Sequence, residues 1–514
     1  MRDADNRGVD RRRLLEGGAA VAAALAAAPA LAAAKGAGSG DREAVIAKIP
    51  AMHDATVKMI QDWIAVPSVA AENAGFPQGP EYMAKLAREA GFQQVKVMPV
   101  SSGKAGVFAT LDAGAPTWLA VYLMYDVKQY DPKEWDSPPL EARIVDKPGF
   151  GKVIVGRGAE NSKGPQAEFL ATVKLFQLAG RKLPVNLVLV CEGEEEIASP
   201  NFREVVHAPE VLAALKKCVG VVTPMGGQAA DGSVEINLGA KGVAELELVS
   251  DGATWGRGPK LDVHSSLEAQ LDSPAWRLVQ ALNTLVGPDG HTPAVEGFFD
   301  KVRPMTPVEK RILEESIPKR SEAEAKAAYG VTHWYKDESW HDSLVRLASQ
   351  PTINIEGLVG GYTGTGGKTI LPHRAVAKVD MRLVPDMTAK GTVELVKAHL
   401  ARHGFPDIQV NMSGGYDPTE TAPDSRVVKA ALEVYRKAGI EPVLWPRSAG
   451  SWPGVIFTGA PVNLPAVDFG LSHGGGAHAP NEYWIVDSTN PKVAGLDGAL
   501  RGYVDFLYAV AETR

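Results

Sequence analysis

The order of apolar and polar positions predicts alternating helices and strands in the first part of the chain. Residues 43–66 carry apolar residues at helical spacing, and the continuous apolar run Trp118–Met124 is typical of a strand covered on both faces. A helix is predicted over Gln166–Leu178 and a second buried strand over Val185–Val190. Because strands and helices alternate in this way, we expect an α/β fold with a mostly parallel sheet sandwiched by helices.

The pattern changes near Gly239. Val243–Val249 alternates apolar and polar residues like a half-exposed strand, and Arg311–Ala328 is charged enough to predict one surface helix. The α/β pattern returns towards the C-terminus. We therefore predict two units: an α/β domain formed by residues 43–240 and 416–514, and an inserted α+β lid formed by residues 241–415.

The first 34 residues have the features of a targeting segment. The arginines at Arg11–Arg13 precede an alanine-rich apolar stretch, and the small residues Ala32 and Ala34 suit a signal-peptidase site. Paired arginines before a weakly hydrophobic region favour a Tat signal, with a Sec signal or an uncleaved anchor as the alternative. We expect a periplasmic or secreted protein.

Composition and charge narrow the class of partner. The 514 residues carry a formal net charge of -7, and no Lys/Arg-rich run follows the targeting segment. Such a chain has no electrostatic attraction for nucleic acid or for an anionic membrane, so we expect a small-molecule or short-peptide substrate. Cys191 follows a buried strand pattern, and we predict that it and Cys218 are buried thiols rather than a disulfide.

The functional sites of such sheets lie beyond the carboxyl ends of the strands, and Asp126 and Glu195 both fall just past predicted strand ends. The stretches that carry candidate chemistry are Tyr122–Val127, Gly156–Gly164, Glu192–Ser199 and His478–Glu482. Further motifs stand at Leu261–Ser265, Gly364–Pro372, Met381–Pro385 and Ala449–Pro453. Their order and spacing resemble the M20 family of metal-dependent peptidases and aminoacylases, especially its carnosinase-like dipeptidase branch.

The resemblance implies a catalytic role for four residues. In that family, two cations bridged by a carboxylate polarise the scissile carbonyl and acidify a water, and a free glutamate passes the water's proton to the leaving amine. Glu195 matches this general base, and Asp126 matches the carboxylate that orients the base or a ligand. Glu196 and His478 match metal ligands.

The resemblance also implies substrate contacts. His264 resembles a lid histidine that reaches a neighbouring active site and stabilises the developing oxyanion, which implies a homodimer. Arg382 resembles the residue that grips a substrate carboxylate, the alternative being a salt bridge within the lid. Gly450 and Ser451 resemble the loop that contacts the substrate backbone.

The chain departs from the family at three metal-ligand positions. Met124 stands where the family has histidine, Asn161 stands where it has the bridging aspartate, and Val221–Met225 contains no acid where a further aspartate is expected. In the family these residues hold one of the two ions, whereas the counterparts of Glu196 and His478 hold the other. We therefore predict at most one divalent ion, with zinc favoured, held by Glu196, His478 and Asn161, or no ion at all.

The leading functional prediction is a hydrolase that cleaves an amide or peptide bond in a small carboxylate-bearing substrate, such as a dipeptide or an N-acyl amino acid. One alternative is a metal-independent lyase, isomerase or amide-forming enzyme that uses Glu195 and Asp126 for proton transfer. Another is a non-catalytic binding protein, although a binder has no use for the base Glu195. His473 is either an additional ligand or a loop histidine without a role.

Overall fold

The computed structural model of this chain describes residues 40–514. The predicted Tat-type signal over residues 1–34 lies outside this range and stays a prediction. Across the described residues, no helix combines the length and the apolar character that crossing a membrane would need.

The first α/β segment contains elements α1–α6 and β1–β9. The helices are α1 (40–46), α2 (Ile49–Ile64), α3 (Gln78–Glu89), α4 (Gly164–Leu178), α5 (Phe202–Val206) and α6 (Pro209–Leu215). The strands are β1 (Gln94–Met98), β2 (Gly106–Leu111), β3 (Trp118–Met124), β4 (Arg143–Lys147), β5 (Gly151–Val155), β6 (Asn186–Glu192), β7 (Cys218–Pro224), β8 (Glu235–Asn237) and β9 (Gly239–Ala240).

The middle and C-terminal segments contain the remaining elements. The middle strands are β10 (Gly242–Asp251), β11 (Val263–His264), β12 (Thr352–Gly360), β13 (Ile370–Leu371), β14 (Arg374–Leu383) and β15 (Gln409–Tyr416). The middle helices are α7 (Gly252–Trp255), α8 (Pro274–Thr284), α9 (Pro307–Ser316), α10 (Glu322–Tyr329), α11 (Trp340–Ser349) and α12 (Ala389–Arg402). The C-terminal elements are β16 (Thr419–Glu420), α13 (Arg426–Lys437), β17 (Val443–Trp445), α14 (Val455–Thr458), β18 (Ala466–Phe469), β19 (Gly474–Gly475), β20 (Tyr483–Ser488) and α15 (Leu496–Glu512).

The central sheet has the strand order β1-β2-β6-β3-β7-β18. Strand β2 is antiparallel to both neighbours, whereas β6, β3, β7 and β18 pair in parallel. On β3, Leu119 and Val121 pack towards helices α2, α4, α13 and α15, and Ala120 packs towards α5, α6 and α14. Burying one leucine or valine stabilises the fold by about 1.5–3 kcal/mol. The sheet is mostly parallel and is covered by helices on both faces, as predicted.

Residues 241–415, called the lid here, form an antiparallel sheet with the order β12-β14-β10-β15. Helices α8 and α12 cover one face, where Leu248, Leu278 and Val396 belong to a hydrophobic cluster of its own. Strand β12 is at the edge of this sheet and is largely exposed. Because only one face is covered, apolar and polar residues alternate over Val243–Val249.

Two predictions about individual elements had different outcomes. Cys191 and Cys218 are both buried and free, which confirms the prediction of two buried thiols. The prediction of one surface helix over Arg311–Ala328 is wrong, because α9 ends in a tight turn at Ile317–Lys319 and α10 begins after it. Pro318 lacks a backbone N–H and interrupts the helix.

Candidate active site

Two neighbouring strand ends carry the acidic residues of the site. Strands β3 and β6 are parallel, with Met124 opposite Glu192 at their carboxyl ends. Asp126 follows β3 and is only 1% exposed. One of its carboxylate oxygens accepts a hydrogen bond from the N–H of Glu195 at 3.2 Å, and the other accepts from the N–H of Glu196 at 3.0 Å. Asp126 therefore fixes the turn that carries both glutamates.

The three consecutive glutamates do not form a solvated charged surface. Glu194 and Glu196 are 2% and 7% exposed. The carboxylate of Glu194 accepts hydrogen bonds from Asn201 at 3.0 and 3.1 Å, whereas Glu195 and Glu196 line a cavity with His478. The turn thus separates one structural glutamate from two that face the cleft.

The structure brings the three predicted metal ligands together. The amide nitrogen of Asn161 lies 2.8 Å from Oε1 of Glu196 and 2.9 Å from Nε2 of His478. That imidazole nitrogen lies 3.2 Å from Oε2 of Glu196. The amide oxygen of Asn161 instead accepts a hydrogen bond from the hydroxyl of Ser162 at 2.9 Å. Asn161 therefore presents a hydrogen-bond donor to the other two residues, rather than an oxygen ligand.

Glu482 holds the loop that carries Asn161. Strand β5 pairs with β20, which places the loop after Val155 beside the loop before Tyr483. The buried carboxylate of Glu482 accepts hydrogen bonds from the N–H groups of Gly158, Glu160 and Asn161 at 2.7–2.8 Å, and pairs with Arg157 at 2.9 Å. These contacts between distant parts of the chain set the position of Asn161.

Lys128 is a site residue that the sequence reasoning missed. Its ammonium group lies 3.3 Å from Oε2 of Glu196 and donates a hydrogen bond to the backbone carbonyl of Glu196 at 2.6 Å. The available signal was its place two residues after Asp126, directly past the end of the stretch Tyr122–Val127. A cation is therefore built into the chain beside a predicted metal ligand.

The electrostatics of the site favour proton exchange near neutral pH. Burial, followed by the charges of Glu196 and Asp126, raises the pKa of Glu195 to about 8 against the opposing effect of Lys128. Burial and the charge of Glu196 raise the pKa of Asp126 to about 7, against the effect of its backbone hydrogen bonds. A carboxylate with a pKa in this range can both take a proton and return it.

The three departures from the family's metal ligands meet in one cavity. Met124, Asn161, Thr223 and Met225 line a cavity of about 220 Å³ together with Glu195. A thioether, a hydroxyl and an amide replace the imidazole and carboxylates that hard or borderline cations prefer. These three positions therefore do not supply the ligands of a paired-ion centre.

The predicted substrate contacts line the same cleft. Arg382 and Ser451 line a second cavity of about 400 Å³ with Glu195 and Glu196, and Ser451 and Gly450 also line the first. The guanidinium of Arg382 donates to Asp380 at 2.7 Å and to the Ser451 hydroxyl at 3.3 Å. Arg382 thus forms the salt bridge within the lid and still faces the cleft.

Two predicted histidines lie elsewhere. His264 is exposed on β11, 2.8 Å from the Ser266 hydroxyl and 3.1 Å from that of Thr369, and it lines neither cavity. His473 stacks on Phe150 with ring centres 5.1 Å apart, and its Nδ1 lies 2.9 Å from the Gln228 carbonyl. The contacts of His473 are those of a packed loop residue.

A second group of ligand atoms lies in the lid. Glu296, His399 and His403 place one ligand atom each within 4.8 Å of one another. Nε2 of His399 lies 2.9 Å from the carbonyl oxygen of Thr284, and this leaves Nδ1 facing Glu296. The sequence reasoning missed this group, although His399 and His403 lie one helical turn apart on α12.

The fold and the cleft together are those of an α/β peptidase with an inserted lid. The chain belongs to Peptidase family M20/M25/M40, whose sequence model matches residues 125–501. This membership confirms the resemblance that the motifs carry.

Individual relatives agree with the dipeptidase branch. The Cys-Gly metallodipeptidase dug1 of Schizosaccharomyces pombe is 27% identical over 321 residues, which cover 60% of this chain and 61% of that protein. The Beta-Ala-His dipeptidase of Rattus norvegicus is 26% identical over 321 residues, with the same coverage of 60% and 61%. These alignments span about three fifths of the relatives' length.

A solved structure extends the similarity over nearly the whole described chain. The M20 family metallo-carboxypeptidase Sso-CP2 from Sulfolobus solfataricus is 30% identical and superposes with a TM-score of 0.78. The match covers 89% of this chain and 99% of that chain. The fold with its inserted lid is therefore the M20 fold.

Proposed function

We propose that this protein hydrolyses the amide or peptide bond of a small carboxylate-bearing substrate, such as a dipeptide or an N-acyl amino acid. The observation that carries the proposal is the position of Glu195, which lines both cavities and shares the second with Glu196, His478 and Arg382. The base Glu195, the ammonium of Lys128 and the guanidinium of Arg382 thus line one cleft that is large enough for a small substrate. The dipeptidase names of the curated relatives support the same substrate class.

Each residue has a distinct role in this proposal. Glu195 takes a proton from the attacking water and returns it to the leaving amine. Asp126 positions Glu195 through the two backbone hydrogen bonds. Arg382 binds the substrate carboxylate, for which a planar guanidinium is suited, and the loop at Gly450–Ser451 contacts the substrate backbone.

The proposal does not depend on a paired-ion centre. Glu196 and His478 are the remaining donors that could hold at most one divalent ion, with zinc favoured, and such an ion would act as a Lewis acid. The roles of Glu195, Asp126 and Arg382 stay the same with or without it. Proton transfer by a pair of carboxylates is less well supported, because both oxygens of Asp126 already accept hydrogen bonds from backbone N–H groups.

The experiment compares free dipeptides and N-acyl amino acids with analogues whose terminal carboxylate is a carboxamide. We expect hydrolysis of the free acids, and a loss of about 10²–10⁴-fold in kcat for Glu195→Gln. Glu194→Gln is the matched control, because that neighbouring glutamate contacts Asn201 outside the cleft. Arg382→Lys should raise KM for the free acids and leave KM for the carboxamide analogues unchanged. Full activity of Glu195→Gln would refute the assigned role.

A further inference from the structure

Lys128 and His478 meet at the same oxygen of Glu196. The Lys128 ammonium lies 3.3 Å and the His478 imidazole 3.2 Å from Oε2 of Glu196. An ion bound to this oxygen would lie no more than about 5.4 Å from the ammonium, because Oε2 is 3.3 Å from Nζ and a metal–carboxylate bond adds about 2.1 Å. A divalent ion and the ammonium would therefore repel each other while competing for one carboxylate.

The other atoms that could bind an ion beside Glu196 already have hydrogen-bond partners. Oε1 of Glu196 accepts a hydrogen bond from the amide nitrogen of Asn161 at 2.8 Å. The amide oxygen of Asn161 is turned towards Ser162. Both oxygens of Glu196 thus have a partner supplied by the chain itself, and the residue at the bridging position offers a donor instead of a negative ligand.

We propose that the ammonium of Lys128 takes the place of the metal cation, so that the cleft works without a divalent ion. The ammonium neutralises Glu196 and lines the cavity of about 400 Å³ that also contains Glu195. A positive group in this position stabilises the negative charge that develops on the carbonyl oxygen of a substrate bound beside Glu195. This catalytic part of the inference rests on the proposed hydrolysis.

The reaction balances without a proton from Lys128. Glu195 removes one proton from water, and the water oxygen forms a bond to the carbonyl carbon. The carbon–nitrogen bond then breaks, and Glu195 transfers the proton to the leaving amine. The products are a carboxylic acid and an amine, and no electron or further reactant is needed.

The first test measures zinc binding, which needs no substrate. The lid group is removed in every protein by His403→Ala, so that zinc bound at Glu296 and His399 does not obscure the result. In this background we expect the dialysed full chain to retain less than about 0.1 equivalent of zinc by mass spectrometry, and its melting temperature to stay unchanged when zinc is added. Retention of one or more equivalents with a rise in melting temperature would overturn the inference.

A restoration variant tests why zinc is excluded. Combining Lys128→Met with Asn161→Asp removes the ammonium and returns a carboxylate to the bridging position, so we expect about one equivalent of zinc and a higher melting temperature with zinc. Lys128→Arg is the charge-preserving control and should exclude zinc as the parent does. If the combined variant does not fold, Lys128→Gln alone should still bind more zinc than the parent. Equal zinc binding by the parent and the folded variants would contradict the proposal.

The second test measures hydrolysis. We expect the parent protein to keep its activity in chelator, Lys128→Met to lose about 10²-fold or more in kcat, and Lys128→Arg to regain part of it. Loss of activity in chelator, restored by zinc, would overturn the inference and leave the proposed hydrolysis standing. Absence of hydrolysis on every amide, with zinc results as expected, would refute the proposed function and leave the exclusion of metal by Lys128 standing.

Discussion

Asp126 illustrates how the surroundings of one residue decide its role. A carboxylate two residues after a buried strand could act on a substrate or hold the backbone. Here burial is almost complete and both oxygens accept N–H groups of the turn at Glu195 and Glu196. The side chain therefore acts through the turn. Lys128, by contrast, is about one third exposed and reaches the cleft itself.

Asp126→Asn should weaken both the fold and the reaction. The change replaces one carboxylate oxygen with an NH₂ group that faces a backbone N–H, so we expect a loss of about 1–3 kcal/mol in the free energy of unfolding. We also expect a fall in kcat because the turn carrying Glu195 shifts. Urea unfolding and initial rates measure these effects. The control is Asp131→Asn, since Asp131 also accepts a backbone N–H but is exposed. Equal behaviour of the two variants would contradict the assigned role.

Lys241 should make stability depend on pH. Burial, followed by the charges of Arg447 and Arg382, lowers the pKa of Lys241 to about 8. Between this value and its ordinary value near 10.5, the unfolded chain binds more protons, so the free energy of unfolding rises with pH by up to ~3 kcal/mol. Urea titrations at pH 8 and pH 10 should show this rise in the parent but not in Lys241→Met. If the free energy of unfolding rose equally with pH in both proteins, Lys241 would not be the source of the pH dependence.

At the scale of elements, the central strands owe their stability to helices on both faces. Strand β6 is buried along its whole length, as is β3 after its first residue. Such strands appear in the sequence as continuous apolar runs, which is why β3 was predicted with its observed ends. The lid strands have one covered face and alternate instead. Helix α9 ends just before Pro318, a break that the sequence itself carries, and it packs against Trp445, which lies far along the chain.

The same substitution at two leucines should separate core packing from surface effects. Leu189 on β6 is 0% exposed, whereas Leu178 at the end of α4 is 48% exposed. Leu189→Ala should cost about 2–5 kcal/mol in the free energy of unfolding, because it removes buried methyl groups and leaves a cavity. Leu178→Ala should cost less than about 1 kcal/mol. Urea unfolding measures both losses, provided that the m-value stays unchanged. Similar losses in the two variants would refute the placement of β6 in the core.

At the scale of the whole molecule, the lid presents an uncovered edge. Strand β12 is the outer strand of the lid sheet, and Ile355, Leu358 and Val359 on it are each about half exposed. An edge strand with exposed apolar side chains is suited to pairing with another chain. His264 also lies outside the cleft of its own chain. We propose that two copies pair through the lid, as the family resemblance implies.

Leu358→Glu should therefore weaken a dimer. A charge in an apolar interface is costly, so we expect the parent to elute as a dimer and the variant as a monomer in size-exclusion chromatography with light scattering. Leu347→Glu is the control, because Leu347 is also exposed but lies on helix α11. A monomeric parent, or a variant that remains a dimer at low micromolar concentration, would contradict the proposed interface.

The sequence by itself determined the class of fold, the buried strands β3 and β6 with helix α4, and the family. Apolar periodicity is local, and the motif residues keep their order along the chain. Asp126 and Glu195 could be placed at the site because they lie just past the ends of predicted strands. The loss of ligands at Met124 and Asn161 was also visible as simple differences in residue type.

Only the tertiary structure decided which polar side chains of the site contact one another. Lys128 lies 68 residues from Glu196 in sequence, and Asn161 lies 317 residues from His478. Contacts across such separations depend on strand pairing and loop position, which no local pattern encodes. The structure therefore showed that an ammonium stands beside Glu196, that Asn161 presents its donor nitrogen, and that His264 lies outside the cleft of its own chain.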